Sequence, residues 1–184
     1  KARNEAEHGN LIDSVRGNTK VVYSSLTGAE DTTSIQVTSF ASDGFALGSG
    51  TNTNKNTITY AAWQWKANGS GSANTAGSIN TTATSVNTTA GFSISTYTGN
   101  NTSGATIGHG LGVKPNVIII KQRNAGSSYW IVYHDKVSSA PETDYLALNS
   151  SDAVADADVF WNDTAPSSTL ITLGNDGWVN VSST

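Results

Sequence analysis

Cysteine and methionine are absent from the 184 residues, proline occurs three times, and only 13% of positions are charged. Each shortage excludes something. Without cysteine there is no disulfide framework and no thiolate metal site. Charged residues stand at about half the ~25% of ordinary globular domains. The net charge is −4, so no basic stripe is on hand to displace counterions from a nucleic acid. No stretch approaches the ~20 apolar residues of a membrane-spanning helix, so membrane insertion is not expected. Abundance lies elsewhere. Ser (24), Thr (24), Asn (18) and Gly (18) make up 84 of the 184 positions. An uncharged, Thr-rich chain of this kind suits an extracellular β protein better than a cytosolic enzyme, and its 36% hydrophobic residues still suffice for a core.

The chain repeats part of itself. Lys121-Gln122-Arg123-Asn124 restates Lys1-Ala2-Arg3-Asn4, and each is followed by an apolar stretch running into an aspartate, Leu11-Ile12-Asp13 and Ile131-Val132-Tyr133-His134-Asp135. Lys20-Val21-Val22-Tyr23 matches Asp144-Tyr145-Leu146-Ala147, and Ala46-Leu47-Gly48 matches Thr172-Leu173-Gly174. The offset grows from 120 at Lys1/Lys121 to 124 at Lys20/Asp144 and 126 at Leu47/Leu173, as loop insertions would make it. That period is domain-sized, longer than the ~20–50 residues of solenoid units. The sequence therefore reads as about one and a half copies of one domain, an excerpt of a longer protein. Residues 1–66 are the later part of a first copy, 67–78 a Gly/Ser/Asn-rich linker, and 79–184 a second copy lacking its last strand. The missing strands would leave open edges, to be filled by a neighbouring subunit or by residues 79–120 folding back so that Phe92–Tyr97 lies beside Ile58–Trp65.

Helix signals are nearly absent, and strand signals dominate. Phe92–Tyr97 alternates apolar and polar residues. Val117–Lys121 is a β-branched run of the kind expected of a central strand buried on both faces. Trp130–His134, Asp144–Asn149, Thr169–Leu173 and Thr57–Lys66 read as further strands, separated by turn clusters such as Gly99-Asn100-Asn101. Short strands at this spacing indicate an all-β protein, an antiparallel β-sandwich.

No enzyme motif survives inspection. Gly108-His109-Gly110-Leu111-Gly112 resembles a phosphate-cradling loop, but Val113 stands where a further glycine is needed, and a strand follows instead of a helix. The three histidines show no ligand spacing, and Ile12 takes the place of His134 in the first copy. The four glutamates offer no apolar strand setting that would suit a general acid. Asp152, Asp156 and Asp158 form the one acidic cluster. They are candidate Ca²⁺ ligands, the alternative being a solvated loop; no other cofactor is expected. Among the aromatics, Trp63 and Trp65 share a strand face and read as core or sheet-face packing. Trp161 and Trp178, in turn-rich segments, and Tyr129, at a loop–strand junction, are the candidate glycan-stacking residues. Packing between strands is the alternative for them.

The phrases Gly91-Phe92-Ser93-Ile94-Ser95-Thr96-Tyr97-Thr98-Gly99-Asn100, Ile107 to Pro115 and Ile118 to Asn124 resemble a repeat domain common in marine, cyanophage-like tailed phages. Asp13-Ser14-Val15-Arg16-Gly17, Ser39 to Phe45 and Ala62-Trp63-Gln64-Trp65-Lys66-Ala67 match the same family, in its order, over nearly the whole chain. The resemblance implies a concanavalin A-like (jelly-roll) sandwich, tandem repetition in tail-fibre or other virion proteins, and no catalytic residues to carry over. The expected function is structural and adhesive, contacting host-surface glycans from the virion or extracellular side, within a homo-oligomer (a trimer) or larger assembly with other virion subunits. The alternative is a carbohydrate-binding module of a secreted or cell-surface bacterial protein.

Overall fold

Strands of two to seven residues, rich in β-branched and aromatic types and broken by Gly, Asn and Asp turns, cannot satisfy their own backbone groups in extended form and so pair antiparallel. A computed structural model describes residues 1–182; the strand start expected at Val181–Thr184 falls partly outside them. In the first copy, β1 (Asn10–Asp13), β2 (Gly17–Tyr23) and β3 (Asp31–Thr32) form a sheet in that order. Then β4 (Val37–Phe40) and β5 (Phe45–Leu47) form a hairpin, and α1 (Thr51–Asn54) makes one helical turn. Next, β6 (Thr81–Asn87) pairs with β7 (Phe92–Tyr97), and β8 (Ala105–Gly108) pairs with β13 (Leu170–Leu173). A four-stranded sheet runs β12-β11-β10-β9, from β9 (Val117–Lys121), β10 (Trp130–His134), β11 (Asp144–Ala147) and β12 (Ala155–Asp156). The single turns α2 (Asp158–Trp161) and α3 (Gly177–Asn180) complete the second copy. The fold is all-β.

The duplication recurs at the level of individual hydrogen bonds. Leu11 stands opposite Val22, as Val132 stands opposite Leu146. Lys20 faces Thr32 as Asp144 faces Asp156. Gly48 N–H donates to Gln36 O at 3.1 Å, and Gly174 N–H to Phe160 O at 2.9 Å. At both glycines a Cβ would run into a backbone carbonyl, of Ile35 or of Val159, so only glycine fits. Asn54 Nδ2 closes α1 onto Gly48 O, and Asn180 Nδ2 closes α3 onto Gly174 O, both at 2.8 Å. The ladders equate Asp13, not Ile12, with His134. Asp13 Oδ1 accepts from Val15 N–H and His134 Nδ1 from Lys136 N–H, two residues on in each case. His134 is a turn acceptor.

Three expectations need correction. Of the expected strand Thr57–Lys66, only Tyr60 pairs, bridging Ala2, and residues 61–66 carry no strand. Among the described residues β9 pairs only with β10, and it is buried on one face alone, with Ile118 and Ile120 inward and Val117 and Ile119 outward. Residues 67–78 are tied to β6, through a bridge from Ser72 to Thr84 and a bond from Asn68 N–H to Ser85 Oγ at 2.8 Å, so the stretch is not a free linker.

The core lies in the second copy. Ile79, Ile107, Ile118, Ile120, Ile131, Tyr133, Phe160, Trp161, Ile171 and Leu173 form its body, and no residue before Ile79 joins the cluster.

Candidate functional site

The two copies meet along a polar seam. The turn between β9 and β10 grips the first copy's loop after β2: Trp130 Nε1 donates to Tyr23 O (3.1 Å) and Leu26 O (3.2 Å), and Lys121 Nζ to Thr27 O (3.0 Å). Glu30 is the charged centre of the seam. It accepts two bonds from Arg123, each 2.8 Å, and one from Arg16 at 3.0 Å, while Arg16 also holds Asp13. Burial alone would raise the Glu30 carboxyl, but the hydrogen bonds from Arg123 and Arg16 outweigh it and hold the carboxyl below its ordinary value. Burial pushes the Lys121 ammonium down.

Beside the seam runs a groove of about 2030 Å³ lined by both copies. One part of the lining is Leu11, Phe40, Phe45 and the stretch Ala61–Lys66; another is Phe92, Val117 and Ile119. Trp63 is 67% exposed and Trp65 60%, so the pair expected to pack in the core or on a sheet face stands at the surface. The reason is tertiary. No strand forms around them, and the partner found is Phe92, whose ring stacks on Trp65 with centroids 6.0 Å apart. This contact brings Phe92 beside Trp65 as the fold-back arrangement required, but β7 forms its ladder with β6 and not with residues 58–65. Val117 (48%) and Ile119 (50%) expose the outward face of β9.

Of the three residues proposed for glycan stacking, Trp161 is corrected outright. It is 1% exposed, with its ring edge-on to Tyr133 at 5.9 Å, and offers no face to a sugar. Tyr129 and Trp178 are half-buried and pack on each other at 5.0 Å, with Trp178 also stacked on Phe160. Trp161 and Trp178 lie against the core because α2 and α3 turn their apolar side chains inward, and Tyr129, just before β10, packs there on Trp178. Asp152, Asp156 and Asp158 do not form a metal site. Asp152 engages Ser150 Oγ, Asp156 lies in β12 opposite Asp144, and Asp158 opens α2. Among the described residues no group of three or more His, Cys, Asp or Glu is placed to hold a metal.

The carboxylates at the groove are Asp13, Glu30 and Asp43, and the first two are neutralised by arginine. His109, also at the groove, is buried, accepts from Leu111 N–H through Nδ1, and is pushed below its ordinary pKa by burial. What the arrangement offers chemically is apolar area and aromatic faces. The sequence signal that marks it is the alternation Ala61-Ala62-Trp63-Gln64-Trp65-Lys66, whose exposure no local pattern reveals. No helix among the described residues is long and apolar enough to cross a membrane.

The chain belongs to the family described as Domain of unknown function (DUF7483), which matches residues 1–184. No curated protein and no solved structure matches it.

Proposed function

We propose that this member of the DUF7483 family is a non-enzymatic structural and adhesive segment of a phage virion protein, a tail fibre built of tandem concanavalin A-like sandwiches. The observation that carries the reading is the recurrence of one local design, from ladder register to the Gly48/Gly174 approach and the Asn54/Asn180 closure, within one chain. Repeated modules of this kind build length and present one surface many times, and weak contacts made many times sum to avidity. The resemblance to phage repeat domains supplies the virion setting and, with it, the partners: host-surface glycans and further virion subunits.

Adhesion rests on the groove aromatics. Trp63, Trp65 and Phe40 are exposed and line one groove, and flat rings bind sugar faces at low entropic cost. Two of the three carboxylates there, Asp13 and Glu30, are held by arginines, which supports binding without hydrolysis. The test is binding of the chain to host cells and to a glycan array, with and without Trp63→Ala and Trp65→Ala. Loss of binding at unchanged melting temperature supports the reading; full binding by the double variant removes it. The same exposed pair favours a second reading, a carbohydrate-binding module of a secreted or cell-surface bacterial protein. That module would bind a soluble oligosaccharide as a monomer at one site.

A further inference from the structure

We infer that Asn68 is a self-modification site: its side chain deamidates and isomerises through the Gly69 backbone nitrogen, and the isoaspartate formed uncouples the β1–β2 turn of the first copy from β6. The inference is independent of the adhesive reading.

The sequence singles the residue out. Of the 18 asparagines, Asn68 alone is followed by glycine. Nine of the others are followed by Thr or Val, whose branched Cβ crowds the backbone nitrogen. The structure then frees both reacting groups. Asn68 and Gly69 are exposed, and neither lies in a strand or helix. Among the described residues Asn68 bonds only through its own N–H and Gly69 only through its carbonyl, so the carboxamide and the Gly69 N–H are both at liberty. A Cβ at Gly69 would meet nothing within 4 Å, so water reaches the link and ammonia leaves it. Elsewhere the carboxamide is engaged. Asn74 Oδ1 accepts from Ala76 N–H, Asn87 Oδ1 from Ala90 N–H and Asn100 Oδ1 from Thr102 N–H, while Asn180 is buried with both side-chain atoms bonded.

The reaction needs only water. The Gly69 nitrogen, losing its proton to solvent base, attacks Asn68 Cγ. The N–Cγ bond forms, the Cγ–Nδ2 bond breaks, and the carboxamide nitrogen leaves as ammonia, closing a cyclic imide. Water then opens the imide at one of its two carbonyls. Opening at Cγ gives aspartate. Opening at the backbone carbonyl carbon gives isoaspartate, in which the main chain runs through Cβ and Cγ. The balance is asparagine plus water to acid plus ammonia, with no change of oxidation state.

The site lies between two tethers. Asn68 N–H donates to Ser85 Oγ of β6 at 2.8 Å, and Gly69 O accepts from Ser14 Oγ of the β1–β2 turn at 2.5 Å. An isoaspartyl link inserts one more carbon between those two bonds, so they cannot both keep their geometry. Ser85 is 1% exposed and fixed in its strand. The Ser14 end, less buried and in a turn, is the one that gives way.

The experiment ages the whole chain for days in mildly alkaline buffer at physiological temperature. Peptide mapping by mass spectrometry is expected to show the Asn68 peptide converting to aspartyl and isoaspartyl forms, faster as pH rises, while the other asparagines stay intact. An isoaspartyl methyltransferase should label the aged chain at that peptide and leave aged Asn68→Gln unlabelled, since the longer side chain closes its ring poorly. Asn68→Ser removes the carboxamide should Asn68→Gln not fold. Hydrogen exchange tests the consequence. The Val15 and Arg16 amides, which donate to Asp13 Oδ1 within the β1–β2 turn, should lose protection in the aged chain. Fresh Ser14→Ala should show the same loss, and aged Asn68→Gln none. Conversion that begins at another asparagine, or an Asn68 that outlasts the others, overturns the site. Unchanged protection of the turn in a chain carrying isoaspartate at residue 68 overturns the uncoupling.

Discussion

Leu47 and Leu173 stand at the same place in two copies of one design, each leading into a glycine that lies against a backbone carbonyl, yet Leu47 is exposed and Leu173 is completely buried. The same split runs through the surrounding positions. Asn54 and Asn180 make the same bond to the glycine carbonyl, but only Asn180 is buried, where it also bonds Thr102 O and accepts from Asn100 N–H. Val37 occupies the place of Trp161, and Gln36 that of Phe160. The difference teaches that turns, caps and ladder register are local properties, reproduced wherever the local sequence recurs. Burial depends on what packs across from them. In the second copy β8, β9 and β13 supply a full complement of apolar side chains; in the first, the buried apolar residues are Ala2, Val21, Val22 and Val37.

The widest gap between the copies is expected at one equivalent pair. Trp161→Ala empties a fully buried site and should cost ~3–5 kcal/mol, whereas Val37→Ala should cost about 1.5 kcal/mol, from ~0.8 kcal/mol for each of two carbons. Chemical denaturation of both variants checks it, and equal losses would break the comparison. A step smaller, Asn180→Ala should cost ~1–3 kcal/mol because it orphans buried partners, while Asn54→Ala stays within about 0.5 kcal/mol. Melting curves of the two side by side decide whether burial, and not the shared bond, sets the value.

The seam between the copies gives the third prediction. Glu30 has a depressed folded pKa, so its contribution is present above the unfolded carboxyl value of ~4.3 and is lost as pH falls through the folded value. Glu30→Gln should lower stability by about 1 kcal/mol at neutral pH, and the difference from the native chain should vanish on acidification. A difference that persists below pH ~3 would place the effect elsewhere. Smallest of all, Trp63→Ala and Trp65→Ala should each leave the melting temperature nearly unchanged, within about 0.5 kcal/mol. A large loss would return these rings to a core.

Much of the second copy was legible in the sequence because its signals are local. Val117–Lys121 and Trp130–His134 are strands with the expected bounds, since β-branched runs between Gly and Asn turns pair wherever a partner strand is near. Which tryptophans are exposed was the harder matter. Trp161 and Trp178 sit among turn residues and look exposed, while Trp63 and Trp65 alternate as in a half-buried strand. A single helical turn, however, buries its apolar side chains as well as a strand does when a sheet lies beneath it, as α2 and α3 show.

By itself the sequence determined the all-β class, the duplication, and through it the recurrence of register, glycine approach and Asn closure, because backbone bonds and turns answer to neighbours within a few residues. Only the tertiary structure decided which aromatics are covered, that β9 is buried on one face alone, that Asp152, Asp156 and Asp158 stay apart, and that Glu30 joins the copies through Arg16 and Arg123. Those outcomes depend on which surfaces face each other across the chain, and a side chain is buried by what lies opposite it, which no local pattern records.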